Sequence, residues 1–256
     1  MSQGEQKVRL VIFRVVAVIG GVLHALPVVF LAGSLATTKE RIHVVHNTAE
    51  FAMFAAVISL GWILAAVAPE RMIAPFQAAT LTVACVAVAS VLSADPRAGV
   101  VTALFAIILL VLHPARSVLW RMGRTAPAPL VLAALAVVPA IWFALSNASL
   151  QRNGAPTDPH VEMHRWTGIV AFALTVVMVA VVAGLGGRNR RIVAVVGGLS
   201  AASFGVISLI NSGYPGAVTS VWAVACIAWG ATLAGDGSRM ARDHADVRAP
   251  VPVGAP

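Results

Sequence analysis

Eight mostly apolar stretches follow one another along the chain, at 8–31, 44–68, 72–94, 99–118, 129–148, 163–186, 192–210 and 217–235. Each has about the twenty residues that an α-helix needs to cross the hydrocarbon layer of a bilayer. Solidly apolar runs of this length do not suit barrel strands, which alternate, and a lone open sheet cannot satisfy its edges in lipid. The pattern therefore predicts an all-α, polytopic membrane helical bundle of eight transmembrane helices. Composition agrees: 59% of the 256 residues are hydrophobic and only 11% are charged. A water-soluble domain carries about 25% charged residues, and so few charges cannot cover a wet surface of this size.

The formal net charge is +8, which by itself would suit a nucleic-acid partner. The basic residues, however, are spread over the short segments between apolar blocks, so no nucleic-acid partner is expected. With the N-terminus inside, thirteen of the 18 lysines and arginines fall on the inner side, and the positive-inside rule then puts both termini in the cytoplasm of a cell membrane. Lys7, Arg9 and Arg14 ahead of the first block imitate a signal peptide. The block from Val15 to Leu31 outlasts the usual hydrophobic core of a leader, so it reads as a retained first helix. Cys85 and Cys226 lie among small apolar neighbours and form no CxxC motif, so they read as small buried hydrophobes.

An internal repeat is expected. His43-Val44 returns 117 residues later as His160-Val161, Gly99-Val100-Val101-Thr102 as Gly216-Ala217-Val218-Thr219, and Arg71 as Arg188. One offset serves all three and superposes the blocks. The organisation is then a first four-helix half (1–120), a cytoplasmic linker (121–128), a second half (129–235) and a polar, disordered tail (236–256). An even number of spans per half gives parallel repeats about an axis along the membrane normal.

Polar residues gather at one end of the blocks, the outer end in this orientation. His43, His46, Asn47 and Glu50 share one face of the second span, because residues three, four and seven apart line up on a helix. A carboxylate two turns into a span must be paired, protonated or facing a wet cavity, since an unpaired one costs several kcal/mol. His24 lies at the depth of Glu50 beside Gly20 and Gly21, so a His24–Glu50 contact is one expectation. His160 and His164, four apart, would face the same way if the sixth span begins early. Asp95 opens an outer turn before Pro96, and His113-Pro114 ends the fourth span on the inner side.

Two functions follow from this distribution. In the first, Glu50, His46, His24, Asn47 and Asp95 form the acid–base site of a membrane-embedded enzyme for a lipid-soluble, isoprenoid-like substrate. A carboxyl in an apolar pocket is held protonated and can act as a general acid. In the second, the protein binds or transports a divalent metal, haem or a proton, a metal being held either by His43, His46 and Glu50 or by His160 and His164. A third possibility is a scaffold for other proteins. The eight spans in two four-helix halves resemble the haem A synthase architecture, and Glu162-Met163-His164-Arg165 is loosely similar to that family's helix-start motif. The repeat offset puts Ile141 opposite His24 and Gly230 opposite His113, and the outer loops hold no cysteine pair, so the resemblance assigns no residue a role.

Overall fold

The computed structural model describes residues 3–34, 43–121, 123 and 125–246. Lys39 and Arg41, two of the five basic residues assigned to the outer side, and the end of the tail from 247 lie outside them. The described residues form helices and no strands: α1 (Gln3–Ser34), α2 (Val44–Glu50), α3 (Leu60–Val67), α4 (Ile73–Leu92), α5 (Arg97–Leu112), α6 (Pro127–Asn153), α7 (Pro159–Glu162), α8 (Arg165–Leu185), α9 (Arg190–Ile210) and α10 (Ser220–Asp246). A π-helical segment, Phe51–Ser59, joins α2 to α3 into one rod from Val44 to Val67. π-Helical turns inside a helix are rare and concentrate at functional sites.

Among the described residues, six helices are long and apolar enough to cross a membrane: Gln3–Leu26, the Val44–Val67 rod, α4, α6, α8 and α9. The fourth block differs from its predicted length. α5 stops at Leu112 after 16 residues, because Pro114 removes the backbone donor that the next turn needs. The chain then turns through a short 3₁₀ segment, Arg116–Val118. α10 begins at Ser220 and is helical through Asp246, well past Asp236, where composition predicts disorder. Its Ala, Arg and Met residues carry good helix propensity, so continuing the ladder costs little.

Helices in lipid gain little from hydrophobicity alone and associate by close packing of small residues. Gly198 of α9 and Gly230 of α10 lie against each other's backbone, and Gly61 of α3 lies against Pro75 and Ala79 of α4. A Cβ at any of these positions would force the helices apart. The main core joins Phe13, Met53, Trp62, Phe76, Leu109 and Val170 from both ends of the sequence. Polar ties close the end of the bundle that holds the 68–72, 113–121 and 186–189 segments. Arg9 donates to the carbonyls of Val111, Leu112 and His113 at the end of α5. The Gln77 amide donates to Leu119 O and accepts from Gly187 N. His113, the residue after α5, is buried between Phe13 and Phe76, so it serves that end and not the histidine cluster.

Candidate metal centre

The opposite end of the bundle gathers the turns at 93–96, 154–164 and 211–219, and three histidines meet there. His43 precedes α2 and His46 lies one turn further on, so a single helix presents both rings on one face. His160 comes from α7. Asp158 caps that short helix, accepting from the backbone N–H of His160 at 2.9 Å, and Pro159 occupies its first position, where the absent donor is not missed. The cap delivers His160 to α2. Ring centroids stand 4.7 Å apart for His43 and His160 and 5.0 Å for His46 and His160. One ligating nitrogen from each ring lies within 4.8 Å of the others.

All three side chains are buried, at 6% exposure for His43, 0% for His46 and 7% for His160. Asp158 Oδ1 lies 2.9 Å from His160 Nδ1. A carboxylate only accepts, so Nδ1 carries the proton and Nε2 offers its lone pair. That Nε2 has no hydrogen-bond partner, and neither nitrogen of His46 has one. Buried polar atoms left without partners are costly, and a metal ion would satisfy these. A carboxylate behind an imidazole is also what fixes ring orientation and raises basicity in metal sites. The Asp158 carboxyl is held below its ordinary value, first by the backbone N–H of His160 and then by that residue's ring, so it stays ionised to do this. Trp166 walls the cluster, 5.0 Å from His46 and 5.3 Å from His160. Gly216 closes over His46: it has φ +81, and a Cβ there would stand 2.8–3.3 Å from three atoms of the imidazole.

The remaining polar residues take other places. His164 does not share a face with His160. α7 ends at Glu162, and His164 adopts a left-handed backbone (φ 58) before α8 starts. Its Nδ1 stands 2.6 Å from Asp95 Oδ2 as an ion pair, and that oxygen accepts from Thr167 Oγ1 at 3.2 Å. Asp95 is therefore more than the start of a turn: it ties the α4–α5 connection to the head of α8. The expected His24–Glu50 contact is absent. His24 Nδ1 donates to Gly20 O at 2.7 Å, its Nε2 accepts from Thr102 Oγ1 at 3.1 Å, and its ring packs edge-on to Trp62. Glu50 instead accepts from Arg165 Nη1 at 2.7 Å across α2 and α8. Gly168 of α8 leaves room for the carboxylate, which a Cβ there would meet at 3.0 Å. Asn47 is 2% exposed and neither of its amide atoms has a partner.

Asp158 and Arg165 were legible in part. Asp-Pro opens a helix, and a capping carboxylate two residues before a histidine reaches that ring as well. Glu50 demands a cation at its own depth, and Arg165 sits at the start of an apolar block. An apolar groove lined by Val57, Leu60, Gly61, Pro75, Val179 and Val196 contains none of the polar residues just described. Comparison of the chain with family models, with curated proteins and with solved structures finds no match.

Proposed function

We propose that this chain is a metal-binding membrane protein that holds one first-row divalent ion, of the zinc type, between His43, His46 and His160. The observation that carries the reading is the convergence of three buried imidazoles, with both nitrogens of His46 and the Nε2 of His160 lacking hydrogen-bond partners and the His160 ring backed by a carboxylate. Neutral imidazole suits zinc, copper, iron and nickel ions. Three protein ligands leave a coordination position for water or another small ligand, the arrangement of sites where the metal acts on what it binds and does not merely brace the chain. A haem is disfavoured, since rings 4.7 and 5.0 Å apart leave no slot for a porphyrin between them. Acid–base work by Glu50 is disfavoured too, because its carboxylate is engaged by Arg165 and not presented to an apolar pocket.

The wider architecture belongs to the same proposal: eight crossings in two tandem four-helix halves, both termini cytoplasmic, and the histidine end at the outer surface. In support, α4 begins at Ile73 and α9 at Arg190, which is the same 117-residue offset that relates His43 to His160. The two halves would then each give an equivalent histidine to a site on their shared axis, with His46 as the asymmetric third. The deciding experiment is metal analysis of the protein purified in detergent without chelators, followed by zinc titration against a chromophoric competitor. Stoichiometric binding that disappears in His46→Ala supports the reading. A protein that neither carries nor takes up a divalent ion refutes it.

A further inference from the structure

The surroundings of the three histidines bear on what fills the ion's remaining position; this step rests on the metal reading above. Three neutral imidazoles leave the charge of a divalent ion uncompensated. Glu50 and Arg165 cancel one another across α2 and α8, and Asp158 answers only part of the ion's charge. A buried centre with excess positive charge favours an anionic ligand. Two donor groups nearby are orphaned. Arg165 is 9% exposed, and its Nε–H has no partner although Nη1 is anchored on Glu50. Asn47, next to His46 and one turn before Glu50, has an amide without any partner at 2% exposure. Arg165 thus reaches from α8 to α2 through Glu50, and Asn47 follows the ligand His46 directly on α2.

We infer that the open position takes a small carboxylate-type oxyanion, one oxygen on the metal ion and the second held by the Arg165 guanidinium and the Asn47 amide. A guanidinium matches the spacing of two carboxylate oxygens, and charge-assisted bonds of this kind are the strong ones. Glu50 acts as a positioning residue, since its hold on Nη1 turns the other guanidinium edge away from itself. Trp166 and Gly216 wall the rings. The occupant is a carboxylate or a bicarbonate, recognised as a planar group with two oxygens.

The test uses the full chain in detergent, loaded with cobalt(II) as a coloured stand-in for zinc. Its ligand-field bands are followed while acetate is added at constant ionic strength, with chloride as the control anion. The expected result is a saturable change with acetate and none with chloride at matching concentration. Asn47→Leu should weaken acetate by at least about tenfold, the worth of a bond to a charged group, while cobalt affinity stays within about threefold of wild type. The paired change Glu50→Gln with Arg165→Gln, which removes both charges together, should weaken acetate in the same way and provides the answer if Asn47→Leu fails to fold. Cobalt that binds but ignores acetate, answers chloride equally, or answers acetate equally in both variants overturns this inference and leaves the metal site standing. A chain that takes up no cobalt overturns the metal reading, and this one with it.

Discussion

His43 and His160, 117 positions apart in the chain, stand with their rings 4.7 Å apart, both buried. Neither helix alone brings the three rings together: His43 and His46 come from the head of α2 and His160 from α7. In the proposed metal site, loss of any one ring would leave two ligands and an incomplete shell. Substituting His43, His46 or His160 with alanine should each lower zinc affinity by at least about 100-fold, read by competition with a chromophoric chelator. His164→Ala should leave affinity near wild type, because that ring is turned to Asp95. A large loss in His164→Ala would mean the site is composed differently.

Asp158 reaches the site only through His160. Asparagine in its place still caps α7 through its side-chain oxygen, but it gives up the charge that orients the ring. Asp158→Asn should therefore reduce zinc affinity about 10- to 100-fold with little change in thermal stability of the metal-free protein. Equal metal affinity in the two proteins would show the carboxylate to be a cap alone.

The Glu50–Arg165 pair gives a different expectation. Glu50→Gln strands a guanidinium that is 9% exposed. Breaking one side of a buried pair costs about 3–5 kcal/mol, whereas removing both charges together is far milder. Thermal unfolding in detergent should fall sharply for Glu50→Gln or Arg165→Gln and largely recover in the double variant. Additive losses would argue that the two groups do not depend on one another.

Two glycines separate backbone strain from contact with the site. Gly213 and Gly216 both have positive φ, at +102 and +81, where an alanine costs about 1–3 kcal/mol. A Cβ at Gly213 meets nothing within 4 Å, while one at Gly216 presses on His46. Gly213→Ala should lose stability and keep its zinc affinity. Gly216→Ala should lose both, and an unchanged affinity there would place the ligand set away from His46.

Orientation is open to a direct check. Ala155 and Thr125 are exposed at opposite ends of the bundle. In intact cells a membrane-impermeant maleimide should label Ala155→Cys, and should reach Thr125→Cys only after permeabilisation. The reverse pattern would put the histidine end in the cytoplasm.

The sequence by itself determined the helical membrane class, because long apolar runs with few charges leave a helix as the one structure that satisfies its own backbone in lipid. It also determined that His43 and His46 share a face, since three residues are nearly one helical turn. Among the described residues, six apolar blocks stand as helices of crossing length, while α5 is cut short by a proline whose effect hydropathy averages away. Partnership between distant segments was decided by tertiary structure alone. Glu50 needed a partner, but whether His24 or Arg165 supplied it depended on which helix packs beside α2. His160 and His164 looked equivalent at a spacing of four, and a left-handed residue at 164 split them between two sites. Spacing along one helix is fixed by local geometry. Which helices become neighbours is fixed by how small residues let their backbones close, and that is a property of the whole bundle.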